Sequence, residues 1–115
     1  MIKLKKTFRK KNREFQQLLR DDKMAIYQIT MHLPDGVIQF AEIFRLRVHQ
    51  PDSYHYNESY EMYPGDEAFG DWAWCCSTLP SLKKILKQKF DMSIDEIPAD
   101  LSFLSWCMGA EDDEM

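Results

Sequence analysis

The spacing of apolar residues changes several times along this chain, and each change marks a new element. Residues 8 to 22 contain neither Gly nor Pro and are rich in Arg, Lys, Gln, Glu and Leu; Phe15, Leu18 and Leu19 fall at i, i+3 and i+4, which predicts a helix. At Met24 the period drops to two. Ala25, Tyr27, Ile29, Met31 and Leu33 line one side of a strand, and Gln28, Thr30 and His32 line the other. Pro34-Asp35-Gly36 is a turn signal, because proline presets one φ and glycine supplies a positive one. The apolar run from Val37 to Val48 is then the returning strand of a hairpin. Val37, Phe40, Ala41, Phe44 and Val48 would also fit a helical stripe. The alternation of Phe44, Leu46 and Val48 with Arg45, Arg47 and His49, beside a ready partner strand, decides for strand.

Between residues 50 and 71, Pro51, Pro64, Gly65 and Gly70 interrupt any long element, but Tyr54 alternates with Tyr56 and Tyr60 with Met62. One strand near residues 54 to 63 is therefore expected to extend the sheet. Phe69 to Thr78 reads as a short central strand with Trp72, Trp74 and Cys76 on one face and Ala73 and Cys75 on the other. Ser77-Thr78-Leu79-Pro80-Ser81 is a helix entrance, with a hydroxyl to cap the first amides and a proline tolerated in the first turn. The helix runs to about Phe90, with Leu82, Ile85, Leu86 and Phe90 as its apolar stripe. Ser93 and Glu96 have capping-box spacing, Pro98 limits that helix to one turn, and Asp100 caps a last helix over 101–108 that Gly109 ends.

These elements make an α+β fold: a three- or four-stranded antiparallel sheet with helices packed on one face, in the order α-β-β-β(-β)-α-α. Residues 1–23 form a basic helical arm, 24–109 a single domain and 110–115 an acidic tail. Met24, where the regular pattern begins, is an alternative start that would make the arm an upstream extension. The order is similar, in topology alone, to that of double-stranded-RNA-binding domains. The acidic body lacks their basic second-helix surface beyond four lysines.

Charge sharpens the division at Met24. Residues 1–23 carry nine basic and three acidic side chains (+6), whereas residues 24–115 carry six and sixteen (−10), so the net −4 hides a basic leader on an acidic body. At 115 residues the chain can bury an ordinary core without a metal or disulfides. No stretch approaches the roughly 20 apolar residues of a membrane span, and no apolar signal segment follows Met1, which points to the cytoplasm. Cys75, Cys76 and Cys107 are odd in number and form no CxxC pair, so they read as reduced thiols.

Candidate chemistry is sparse. His32, His49 and His55 with the three cysteines could supply metal donors, but none has the spacing that puts ligands on one turn, and adjacent strand residues such as Cys75 and Cys76 point to opposite faces. No metal and no cofactor are expected. A thiol enzyme using Cys75 or Cys76 would need a base and an oxyanion donor that the sequence does not position, and the pairs Asp66/Glu67 and Asp95/Glu96 read as solvated charges. No glycine-rich phosphate loop is present. The unusual feature is the density of rings and carboxylates from Asp52 to Trp74. Tyr54, Tyr56, Glu58, Tyr60, Glu61, Tyr63, Asp66 and Glu67 are the expected contacts for a basic protein partner, in a non-enzymatic regulatory module that inhibits a nucleic-acid-binding protein. The alternative is a nucleic-acid-binding accessory protein whose arm supplies Lys5, Lys6, Arg9, Lys10, Lys11 and Arg13 to phosphates. Neither reading fixes an oligomeric state.

Overall fold

A computed structural model of the chain describes residues 2–50, 58–98 and 100–104. Its centre is a five-stranded antiparallel sheet of β1 (Thr7–Lys10), β2 (Arg13–Arg20), β3 (Met24–Leu33), β4 (Gly36–Arg45) and β7 (Ala73–Cys76), in that spatial order. A two-stranded ribbon of β5 (Val48–His49) and β6 (Tyr60–Glu61) lies apart from it, and α1 (Leu79–Phe90) follows β7. Beyond α1, Ile94–Glu96 form a single 3-10 turn that carries the expected capping box between Ser93 and Glu96.

The expected α-β-β-β(-β)-α-α order is corrected at its start. Residues 7–20 are a β-hairpin, and the likeness in order to double-stranded-RNA-binding domains goes with the missing helix. Two local features disguise this hairpin as a helix. Lys11 turns the chain in the left-handed region (φ 58°), so Lys10 and Arg13 become cross-strand partners. A bulge between Gln17 and Leu19 then inserts one residue into β2. Phe15 therefore faces one side of the sheet while Leu18 and Leu19 pack on the other, giving the i, i+3, i+4 spacing without a helix.

The β3–β4 hairpin forms as expected around Pro34-Asp35, with Met24 opposite Arg45 and Leu33 opposite Gly36. The sheet is not extended by a strand over 54–63: its described part contributes only β6, paired with β5 outside the main sheet, and residues 54–57 lie outside the described residues. β7 pairs instead with the second half of β4, Ala41 to Phe44. Trp72 precedes β7 in a turn and packs edge-on against Phe44, on the opposite side from Trp74. Residues 101–104 form a turn closed by the Leu104 amide on the Leu101 carbonyl (3.0 Å), and the rest of the expected last helix lies outside the described residues.

Among the described residues one α-helix, α1, packs on the sheet: Leu82 and Leu86 bury themselves against Met24, Ile26, Ala41 and Ile43, with Ile97 and Leu104 completing the cluster. Thr78 caps the helix by accepting from the Ser81 amide (3.3 Å). The other face carries Phe15, Ala25, Tyr27, Ile29 and Phe44 and is closed by the segment from Met62 to Trp72. Both sides of β3 are thus apolar at its start, Met24 and Ile26 toward the helix and Ala25, Tyr27 and Ile29 toward the loop.

Candidate functional site

Among the described residues, the loop-covered face brings together a set of rings and a buried carboxylate. Tyr63 is its keystone. Its ring meets those of Phe8, Phe15, Tyr27 and Phe44 edge-on at centroid distances of 5.5, 5.2, 5.3 and 4.9 Å, and Phe8 stacks on Phe15 at 4.4 Å. Edge-to-face contacts place positive ring edges on negative faces, so this box is held by more than burial. The Tyr63 hydroxyl donates to Oε1 of Glu42 at 2.5 Å.

Glu42 is the residue that sequence reasoning missed. It follows Phe40 and precedes Phe44 with the same parity, so the alternation of β4 turns its carboxylate toward the aromatic face, opposite Tyr27 on one side and Cys75 on the other. It is only 5% exposed. A charge in phase with the apolar residues of a buried strand is the signal that would have found it. Burial pushes its carboxyl above the ordinary range, against the opposing pull of the Tyr63 hydrogen bond and the Arg13 charge. Tyr63 is likewise held in its neutral form, by burial and then by the neighbouring carboxylate.

Beside this pair opens a cleft of about 430 Å³ whose lining includes Phe8 and Phe15, the basic stretch Lys10, Lys11, Asn12 and Arg13, and Pro64, Gly65, Asp66 and Phe69. The basic stretch is the turn of the β1–β2 hairpin. Lys3, Lys5, Lys6, Arg9, Lys10, Lys11 and Arg13 are all exposed, and no acidic residue precedes Glu14. Arg9 pairs with Glu14 (3.2 Å), which also meets His32 (2.7 Å) on the far side of the hairpin.

The acidic and aromatic residues expected to form one outward patch are spread over several environments. Tyr54 and Tyr56 lie outside the described residues. Glu58, Asp66 and Glu67 are exposed, and Tyr60 is half-buried and stacks on His49 at 4.9 Å. Glu61 is buried: it forms a two-point ion pair with Arg20 and accepts from the Leu4 amide at 2.9 Å, tying the first residues to β2 and β6. The Arg20 hydrogen bonds hold the Glu61 carboxyl below its ordinary range. Tyr63 is occupied in the aromatic box.

The thiols are poorly set for nucleophilic work. Cys76 is buried and pushed up to about 12 by that burial and by Cys75, and burial followed by the Glu42 charge also raises Cys75. His55 and Cys107 lie outside the described residues, and among the described residues no three His, Cys, Asp or Glu side chains come together as metal ligands. No helix of the described chain is long and apolar enough to cross a membrane. The chain matches no family model, no curated protein and no solved structure.

Proposed function

We propose that this chain is a cytoplasmic, non-enzymatic accessory protein that binds nucleic acid through the basic β1–β2 hairpin at the edge of its sheet. The observation that carries this reading is the end of that hairpin: Lys10 and Arg13 are directly opposite one another, with Lys11 between them in the turn. Like charges facing across a strand pair cost stability, and a bound polyanion turns that cost into attraction. The phosphates of a nucleic acid supply such an anion at regular spacing, and the acidic remainder of the molecule keeps the contact confined to this edge. The competing picture of a docking patch for a basic protein has less support, because Glu61 and Tyr63 are engaged within the fold.

The test is a salt titration of the full chain against a single-stranded oligonucleotide. Affinity should fall linearly in log-log form with salt, and replacing Lys10 and Lys11 by alanine should make the slope shallower by about 0.7 for each phosphate that is no longer neutralised. Absence of binding at low salt, or a slope that the double replacement leaves unchanged, would overturn the reading.

A further inference from the structure

Sheet edges are where a fold leaves backbone groups unpaired, and the first half of β4 is such an edge. β3 runs beside β4 for its whole length, from Leu33 opposite Gly36 to Met24 opposite Arg45. β7 covers the other side over residues 41–44, because after Cys76 the chain leaves for the cap of α1 at Thr78. Residues 36–40 therefore have no strand on that side among the described residues, and the amides and carbonyls that alternate residues aim there can receive a further strand. The stretch carries no charge and no proline, the usual guards of an exposed edge, and its Val37 and Ile38 are 56% and 47% exposed. Beside it opens a groove of about 590 Å³ whose lining includes Ile38, Phe40, Cys75, Cys76 and Phe103 and no charged side chain.

The chain itself leads to this groove. Phe103 lines it, and Leu104 is buried with Cys76 in the helix-side cluster, so the backbone at this point lies at the end of β7. Residues 105–108 are Ser, Trp, Cys and Met, and no charge occurs between residues 101 and 110. We infer that residues 105–108 dock along the open edge of β4 as a short added strand, with Trp106 in the groove. Four extended residues span about 13 Å and the open edge about 17 Å, so the segment covers most of the edge without a linker. Pairing removes the apolar surface of Val37 and Ile38 from water together with that of Trp106, Cys107 and Met108. A second copy of the chain is the weaker occupant, since a strip about 17 Å long and one strand wide falls far short of the roughly 800 Å² that each partner of a stable complex contributes. A tethered segment needs less area, because its tether replaces the cost of bringing two molecules together.

The test follows amide hydrogen exchange in the full chain. The amides of residues 106–108 should exchange about tenfold or more slowly than those of an unstructured chain, the lower end of what burying one large apolar side chain supplies. Ile38→Lys puts a charge on the edge at a side chain already half in water, so the fold does not depend on it, and residues 106–108 should return to the unprotected rate. Trp106→Ser should in turn speed exchange at residues 37–40 and the alkylation of Cys75 by N-ethylmaleimide, while Cys76, which is buried, stays unlabelled as long as the chain is folded. If Trp106→Ser labels at Cys76 it has unfolded, and Ile38→Lys decides alone. Unprotected amides at residues 106–108 of the wild type, or protection that Ile38→Lys leaves intact, overturns the inference. Protection that disappears on dilution, together with a dimer in sedimentation, gives the edge to a second copy and overturns it as well.

Discussion

Glu42 and Glu61 are both buried carboxylates, yet their surroundings push them in opposite directions. Glu61 meets a guanidinium and a backbone amide, so its charged form is favoured; the stability it contributes is present above about pH 4.5 and is lost as the pH falls through its lowered value. Glu42 is buried among apolar rings, and that burial outweighs the Tyr63 hydroxyl and the Arg13 charge, so its neutral form is favoured relative to a free carboxyl. A carboxyl whose value is raised by folding holds its proton more tightly in the native state, and stability falls as pH rises from the ordinary 4.5 through that raised value. Glu42→Gln should therefore be more stable than the wild type near neutrality, and the difference should shrink toward pH 4. Urea unfolding of both proteins across that range checks it. A gap independent of pH would show that Glu42 does not titrate with folding.

The β1–β2 hairpin shows how one residue can change the identity of an element. Lys11 occupies a backbone region that costs a side-chain-bearing residue about 1 kcal/mol, and it does so where the sequence has three cations within four positions. Glycine there should raise stability by about 0.5 kcal/mol after the greater freedom of its unfolded chain is counted, while valine should lower it by about 1 kcal/mol. Chemical denaturation of Lys11→Gly and Lys11→Val tests this, and equal stability of the two would mean that the turn has another conformation. The element was hard to read because its period-two pattern is broken twice, by the turn at Lys11 and by the bulge beyond Gln17. By contrast, α1 was legible throughout. Its cap, its proline, its apolar stripe and its end are all encoded within one stretch of chain, where local bonds suffice.

In the whole molecule the basic leader is part of the fold. Phe15 is buried in the aromatic face, β2 pairs along most of β3, and the Tyr27 hydroxyl donates to the Lys5 carbonyl at 2.7 Å. Removal of residues 1–23 would strip one edge from β3 and uncover Tyr27 and Ile29. The shortened chain should lose cooperative thermal unfolding, as followed by near-ultraviolet circular dichroism; a sharp native-like transition would show that the sheet closes without the hairpin.

What the sequence determined alone was whatever depends on neighbours in the chain: the span of β3, the turn at Pro34-Asp35, the capped helix after Thr78 and the charge divide near Met24. What tertiary structure decided was what depends on distant partners. It paired β7 with β4, turned Tyr63 and Glu61 inward, and gathered Phe8, Phe15, Glu42 and Tyr63 around one cleft. Hydrogen bonding along a helix is satisfied within a few residues, whereas a strand takes its edge, its face and its burial from chains brought beside it.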